Sequence, residues 1–350
     1  MNPLVSILIP TFDRPQYLRE AIETALAQTY RDLEVLVFDN GTMPETLQVA
    51  EEAIRRDPRV RFQRNERNLG MSANFNALAD AARGEFAVAI GDDDRLLPEF
   101  VAKLAAAMVP PVRVSFSNQY LIDASGMRLE ERSKEHAVRY GRDLLRAGVI
   151  ENADIASWQL SIPMSASLLR TADLRRLRFR EDMNTPDIEF FIRLAREGAA
   201  FCFVPERLME YRVHPGAETA TGLSTEQLVE CLTPYKVRLE VEPYKRQFLA
   251  PMVVNAVSRC LQQGNMEKAR ALLRNKYYPR RVTASGGVWG STMGHPLRPG
   301  PGSENGSNPA LRHSLGRLLQ TFCAHLPAAV GTPIYRTVRR VRQVSKDHRS

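Results

Sequence analysis

The sequence predicts an α/β fold: a mostly parallel sheet flanked by helices, followed by a helical C-terminal extension. Strand-like and helical patterns alternate through the first 120 residues, which is the signature of parallel strands joined by crossover helices. The strand-like runs are short and apolar and end in polar residues, and in open sheets ligands bind beyond the carboxyl ends of the strands. No apolar run approaches the ~18 residues of a membrane span. "LVSILIP" lacks a basic flank, so it reads as a strand and not as a signal peptide.

Residues 4–10, 33–39, 60–63, 86–90 and 112–117 read as the strands. Between the first two lies a helix with Asp13 as N-cap and Pro15 in its first turn, burying Leu18, Ile22, Ala25 and Leu26. A second helix opens at Pro44. A third is "SANFNALADAA", capped by Ser72, and a fourth follows Pro98. A second block runs from about 161 to 214. It holds the strand-like "SIPMSASLLR", a helix from Pro186 to Gly198, the strand "AAFCFV" and the closing "LMEYRVHPG". The expected division is a catalytic domain over 1–225, with halves 1–120 and 121–225. A helical extension (226–281), a Gly/Ser/Pro-rich linker (282–310) and a basic amphipathic tail (311–350) complete it.

Charge is split along the chain. Residues 1–230 hold 28 Lys and Arg against 35 Asp and Glu, whereas residues 231–350 hold 20 against 5. A basic tail on an acidic body argues against a nucleic-acid-binding protein, which would present a basic body with interleaved aromatic residues. The four cysteines, at 202, 231, 260 and 323, are scattered without a CxxC pair and read as free thiols in a reducing compartment.

The strand ends deliver Thr11-Phe12-Asp13, Asp39-Asn40-Gly41 and Asp92-Asp93-Asp94 to one edge. Helix capping accounts for at most one of three adjacent carboxylates. The turn after the first strand, "PTFDRPQYL", has neither GxGxxG nor a P-loop. Without a glycine-rich cradle, bound phosphates need another neutralising charge. A Mg²⁺ or Mn²⁺ ion held by the Asp cluster supplies it, since both take oxygen ligands and Mg²⁺ is commonly held by one or two carboxylates plus substrate phosphates. Two enzyme classes satisfy this: a nucleotidyltransferase and a nucleotide-sugar glycosyltransferase.

"VSILIPTFDRPQYLREAIETALAQTYRDLEVLVFDNGT" and "NERNLGMSANFNALADAARGEFAVAIGDDDRLLPEF", followed by "PDIEFFIRLAREG" and "YRVH", resemble inverting glycosyltransferases of family 2, over residues 4–214. The resemblance implies a GT-A type, Rossmann-like sheet and transfer of a sugar from a nucleotide-diphosphate donor, UDP-linked first and dTDP- or GDP-linked next. The acceptor it implies is a glycan or lipid-linked hydroxyl in surface polysaccharide or glycolipid synthesis. Thr11 and Asp39 match positions that meet the nucleotide, and Asp92 stands as the ribose contact. Asp93 matches the metal ligand, and Asp94 beside it and His214 near the diphosphate complete the expected metal set. The family's Asp-x-Asp-Asp starts one residue earlier, at Gly91, so its first Asp is missing here. Aligning on Arg193-Leu194 places the general base at Asp187, with Pro186 where the family has Glu; Glu181 and Asp182 are nearby competitors. Arg212 reads as structural.

The tail adds one expectation. "LRHSLGRLLQTFCAHL" puts Leu311, Leu315, Leu318, Leu319 and Phe322 on one helical face, and the end of the chain supplies Arg336, Arg339, Arg340, Arg342, Lys346 and Arg349. An amphipathic helix beside a basic cluster suits peripheral attachment to an anionic membrane. The expected place is the cytoplasm, at the inner face of the membrane.

Overall fold

The computed structural model describes residues 2–183, 185–214 and 225–279, with Gln320 and Ala324. The chain divides into two compact units, residues 1–224 and 225–350.

The first unit is built on one mixed sheet. Strands β1 (Val5–Thr11), β2 (Leu33–Asp39), β3 (Val60–Arg64) and β4 (Phe86–Ala89) are mutually parallel, in the order β3-β2-β1-β4. Helices α1 (Pro15–Leu26), α2 (Pro44–Arg56) and α3 (Met71–Ala81) connect them. A short β5 (Arg95–Leu96) and α4 (Phe100–Ala106) lead to β6 (Val112–Ile122). Then come α5 (Glu130–Arg139), β7 (Gly148–Val149), α6 (Ala153–Trp158), β8 (Ser167–Arg170), α7 (Thr171–Leu177), α8 (Pro186–Arg196) and β9 (Ala200–Arg212). The sheet continues β4-β8-β6-β9-β5, with β7 also on β9. β8 runs antiparallel between β4 and β6, and β9 runs parallel to β6.

Period-two alternation sorts the core. Val5, Ile7 and Ile9 of β1 face Leu18, Ile22, Phe100 and Leu104 of α1 and α4. On the other face Leu8, Leu36 and Phe38 meet Leu78 of α3 and Phe190, Phe191 and Leu194 of α8. Both layers are buried, so each of these side chains contributes about 1.5–3 kcal/mol of transfer free energy.

Several sequence expectations are corrected. Asp13 does not cap α1: the N-cap position is Arg14, and Asp13, at φ 52°, accepts hydrogen bonds from the amides of Thr42 and Met43. Ser72 is inside α3, whose N-cap position is Gly70. The strand expected across 161–170 is confined to 167–170, because the residues before it are taken up by a turn ending in the Ser167 amide bond to Met164. The strand expected over "AAFCFV" runs on to Arg212 as β9, carried past a bulge opposite Ser117 and Asn118.

The second unit contains α9 (Thr225–Leu232), α10 (Glu242–Gln263) and α11 (Met266–Leu273). They close on Leu228, Leu232, Leu249, Val253, Val257 and Leu261, all at or near zero exposure. Asn265 caps α11 through the Lys268 amide at 3.1 Å. Gln320 is buried here, donating to Ser258 Oγ at 2.6 Å and accepting from Tyr278 Oη at 2.9 Å. Arg270 Nε donates to the Ala324 carbonyl at 2.7 Å. The 282–310 linker and the rest of the tail lie outside the described residues. Cys202, Cys231 and Cys260 are free thiols; Cys323 lies outside the described residues.

Candidate active site

Parallel strands bring Thr11, Asp39 and the turn after β4 to one edge of the sheet. β9 points the same way, so Arg212 and His214 arrive there from 120 residues downstream. Asp187 stands in the first turn of α8, which ends at Arg196 shortly before β9 begins at Ala200.

The three carboxylates have different surroundings. Asp92, 5% exposed, accepts from Thr11 Oγ1 at 2.7 Å, from the Phe12 amide at 3.4 Å and from Arg14 Nη1 at 3.4 Å. Burial, reinforced by Asp93, pushes its carboxyl up to about 6, against the pull of Thr11 and Arg14. Asp93 Oδ2 lies 3.2 Å from Arg14 Nη1 and 3.0 Å from His214 Nε2. Asp94, 1% exposed, accepts the Arg212 amide at 3.1 Å and is further bonded by Ser165 and the Gly91 amide. Burial, then Asp93, raises it well above the usual carboxylate range. Asp93 and His214 therefore meet at the strand ends, while Asp94 is spent on holding β9 against the carboxylate turn. The positive charge facing the tip of β4 is Arg14, which bridges Asp92 and Asp93.

A Cβ on Gly91 would stand 2.5 Å from Asp93 Oδ1, the end of a side chain, so a larger residue here requires the Asp93 carboxylate to turn.

Arg212, 2% exposed, has more to do than the sequence suggests. Its Nε donates to the Asp93 carbonyl at 2.8 Å, its Nη1 to the carbonyls of Asp123 and Ala124, and its Nη2 to Glu20 Oε2 at 2.6 Å. Tyr17 stacks on the guanidinium at 4.6 Å, with its ring 5.4 Å from that of His214. Sequence reading missed Arg14, Tyr17 and Glu20. The only available signal was an Arg one residue past Asp13, in a turn with no glycine to cradle an anion.

Asp39 is fully buried. Its Oδ1 accepts the Gly41 amide at 2.7 Å, and its Oδ2 accepts Arg64 Nε and Nη2 at 2.9 and 2.7 Å. Next to it Asn65 joins Asn40 and Asn74, and Asn74 reaches the Phe38 carbonyl at 2.9 Å.

Asp187 is half-buried. Desolvation raises its carboxyl above the usual range, opposed by the amides of Asp187 and Ile188 at the start of α8. Its competitors differ. Asp182 is paired with Arg180 at 2.7 Å and held low by it, and Glu181 accepts from Asn76 at 3.2 Å. A base for an alcohol needs a carboxylate poised upward, and of these Asp187 has that environment.

Among the described residues, no group of three or more His, Cys, Asp or Glu side chains is arranged to hold a metal ion by itself. Asp93 and His214 provide an oxygen and a nitrogen donor on one spot, and these suit a divalent ion completed by substrate phosphate.

The profile described as Glycosyl transferase family 2 matches residues 6–160, which contain the whole Thr11, Asp39 and Asp92–Asp94 assembly. An uncharacterised glycosyltransferase of Methanocaldococcus jannaschii is 29% identical over 61% of this chain and 71% of its own length. Over residues 6–160 the chain is similar to glycosyltransferase family 2. The GalNAc(5)-diNAcBac-PP-undecaprenol beta-1,3-glucosyltransferase of Campylobacter jejuni is 26% identical over 63% of this chain and 69% of its own. In fold, the chain is similar to residues 1–349 of S. aureus TarS, in complex with UDP-GlcNAc. That match has a TM-score of 0.55 and 19% identity, over 75% of each chain. This glycosyltransferase spans half of the longer TarS chain. The mannosyltransferase PcManGT of Pyrobaculum calidifontis, in complex with GDP-Man and Mn²⁺, matches with a TM-score of 0.54 at 16% identity, over 79% and 82%. These are GT-A folds. These matches support glycosyl transfer over the nucleotidyltransferase and nucleic-acid-binding readings.

Proposed function

We propose that this glycosyltransferase is metal-dependent and inverting, and moves a sugar from a nucleotide diphosphate to an acceptor hydroxyl. The observation that carries the reading is the meeting of Asp93 and His214 at 3.0 Å at the strand ends. Thr11, Asp39 and Asp92 hold the nucleoside side of the donor. Asp93 and His214 hold Mn²⁺ or Mg²⁺, which when bound neutralises charge on the leaving diphosphate. Asp94 braces the turn and is not assigned as a ligand. Asp187 takes the acceptor proton as the oxygen attacks, and a single displacement inverts the anomeric centre.

The TarS complex with UDP-GlcNAc supports a UDP-sugar first, and the PcManGT complex keeps GDP-sugars next. The Campylobacter relative's undecaprenol-linked acceptor supports a lipid-linked glycan in cell-envelope synthesis, with the enzyme peripheral at the membrane face. No helix among the described residues is long and apolar enough to cross a membrane.

Thermal-shift titration with UDP, dTDP and GDP, each with and without Mn²⁺, tests this. A ligand at 100 times its Kd stabilises by about 2.7 kcal/mol, so the best nucleotide names the donor class. Stabilisation that is equal with and without Mn²⁺ removes the metal from the proposal. Retained anomeric configuration in the product removes inversion.

A further inference from the structure

One face of α3 carries Ser72, Asn76 and Asp80 at spacings of four, so the three side chains form a row along the helix. Each bonds the segment between α7 and α8. Asn76, 2% exposed, makes a two-point bond to Phe179: its Nδ2 donates to the carbonyl at 2.9 Å, and its Oδ1 accepts the amide at 2.8 Å. The same Nδ2 reaches Glu181 at 3.2 Å. Ser72 Oγ donates to the Met183 carbonyl at 3.3 Å, and Asp80 pairs with Arg178 at 2.9 Å. From the other side, Arg193 of α8 donates to the carbonyls of Leu177 and Arg178 at 2.6 and 2.7 Å. Arg178 itself is at φ 54°, a strained conformation for a side-chain-bearing residue that surrounding contacts must hold.

The start of α3 also reaches the donor side. Gly70 precedes it, Asn40 Nδ2 donates to the Gly70 carbonyl at 3.2 Å, and Asn74 is bonded to the end of β2. A single helix thus touches the edge that carries Asp39 and the segment that leads into Asp187.

We propose that the Ser72–Asn76–Asp80 row is the positioning device of the general base, with Asn76 its principal residue. This rests on Asp187 being the base. Asn76 touches no substrate. It acts by fixing the backbone from Phe179 to Met183 and so the start of α8. Misplacing a reacting group by about 1 Å can cost about 10²-fold in rate.

The test compares wild type, Asn76→Ala, Asn76→Asp and Asp187→Asn in the full chain. Asn76→Asp keeps the acceptor for the Phe179 amide and loses the donor, so it tests the clamp even if Asn76→Ala fails to fold. Amide hydrogen exchange is read first. Protection should fall in 178–188 of an Asn76 variant while β1, β2 and β4 keep theirs; unchanged protection in 178–188 overturns the inference. Hydrolysis of UDP-glucose, UDP-N-acetylglucosamine and GDP-mannose with Mn²⁺ is read next, well below each variant's Tm. The expected result is a kcat lower by about 10- to 100-fold, a donor KM within twofold of wild type, and no further loss when Asn76→Ala is added to Asp187→Asn. A purely structural role would lower Tm and leave kcat alone, and multiplying losses in the double variant would place Asn76 outside the base's action; either result overturns the inference. Full activity in Asp187→Asn sinks the base assignment, whereas a loss there with none in the Asn76 variants sinks only the clamp.

Discussion

In the proposed mechanism Asp187 serves a helix and a reaction at once. Its carboxylate accepts amides at the start of α8, which favours the charge, while desolvation disfavours it and prevails. Because the folded carboxyl titrates above its unfolded value, its ionisation destabilises the native state as pH rises through that higher value. Below the unfolded value the penalty is absent. Asp187→Asn should therefore be at least as stable as wild type at pH 7 and bind nucleotide normally, with kcat reduced by about 10²–10⁴-fold. A melt and a turnover assay check both. The acid limb of wild-type kcat should also lie above the ordinary carboxylate range. At the proposed metal pair, Asp93→Asn should abolish Mn²⁺-dependent nucleotide binding with little change in Tm. Asp94→Asn keeps an oxygen for the Arg212 amide and should retain metal-dependent binding. If Asp94→Asn loses it as completely as Asp93→Asn, Asp94 is a ligand and not a brace. Gly91→Asp, which restores the family's missing carboxylate, should lower activity, since its Cβ would meet Asp93.

The helices and strands were legible where periodicity was strong, and turns were not. α1, α2 and α8 each open on a proline in the first turn, a signal independent of tertiary context. Asp13 defeated the capping rule because its carboxylate serves a neighbouring turn: it satisfies two amides from the β2–α2 connection, 29 and 30 residues away. Long-range competition of that kind leaves no trace in local sequence. The antiparallel insertion of β8 was equally hidden, because a four-residue strand between two parallel ones is fixed by pairing and not by pattern. That junction at Asp13 yields a prediction for the element. Any side chain at Gly41 would collide with the Asp13 carboxylate, and its Cβ would stand 2.8 Å from the Asp13 amide nitrogen. Gly41→Ala must then shift the β1–α1 and β2–α2 turns together. Because Asp39 and Thr11 end those strands, nucleotide affinity should drop more than Tm. Equal nucleotide affinity in isothermal titration would show that the two turns move independently of the donor.

At the scale of the whole molecule the open question is what the basic end faces. The apolar residues singled out in the tail, Leu311, Leu315, Leu318, Leu319 and Phe322, lie outside the described residues. Gln320 and Ala324, however, are buried in the second unit, bonded to Ser258, Tyr278 and Arg270. Cutting the chain near Pro309 would strip those partners and expose polar groups whose loss of bonding costs about 1–3 kcal/mol each, so truncation confounds attachment with stability. Substitution at the end avoids this. Arg336, Arg339, Arg340, Arg342, Lys346 and Arg349 sit beyond the buried pair in sequence, and each Lys or Arg near an anionic surface contributes about 1 kcal/mol. Changing all six to Gln should leave Tm and nucleotide binding unchanged. It should also abolish sedimentation with vesicles of phosphatidylglycerol and phosphatidylethanolamine at low salt. Wild type should sediment with them and be released by high salt, since screening shortens the reach of surface charge to about 3 Å at 1 M. If the six-fold variant and wild type partition identically between vesicles and buffer, the basic end has no membrane role, and a lipid-linked acceptor would have to reach the site without its help.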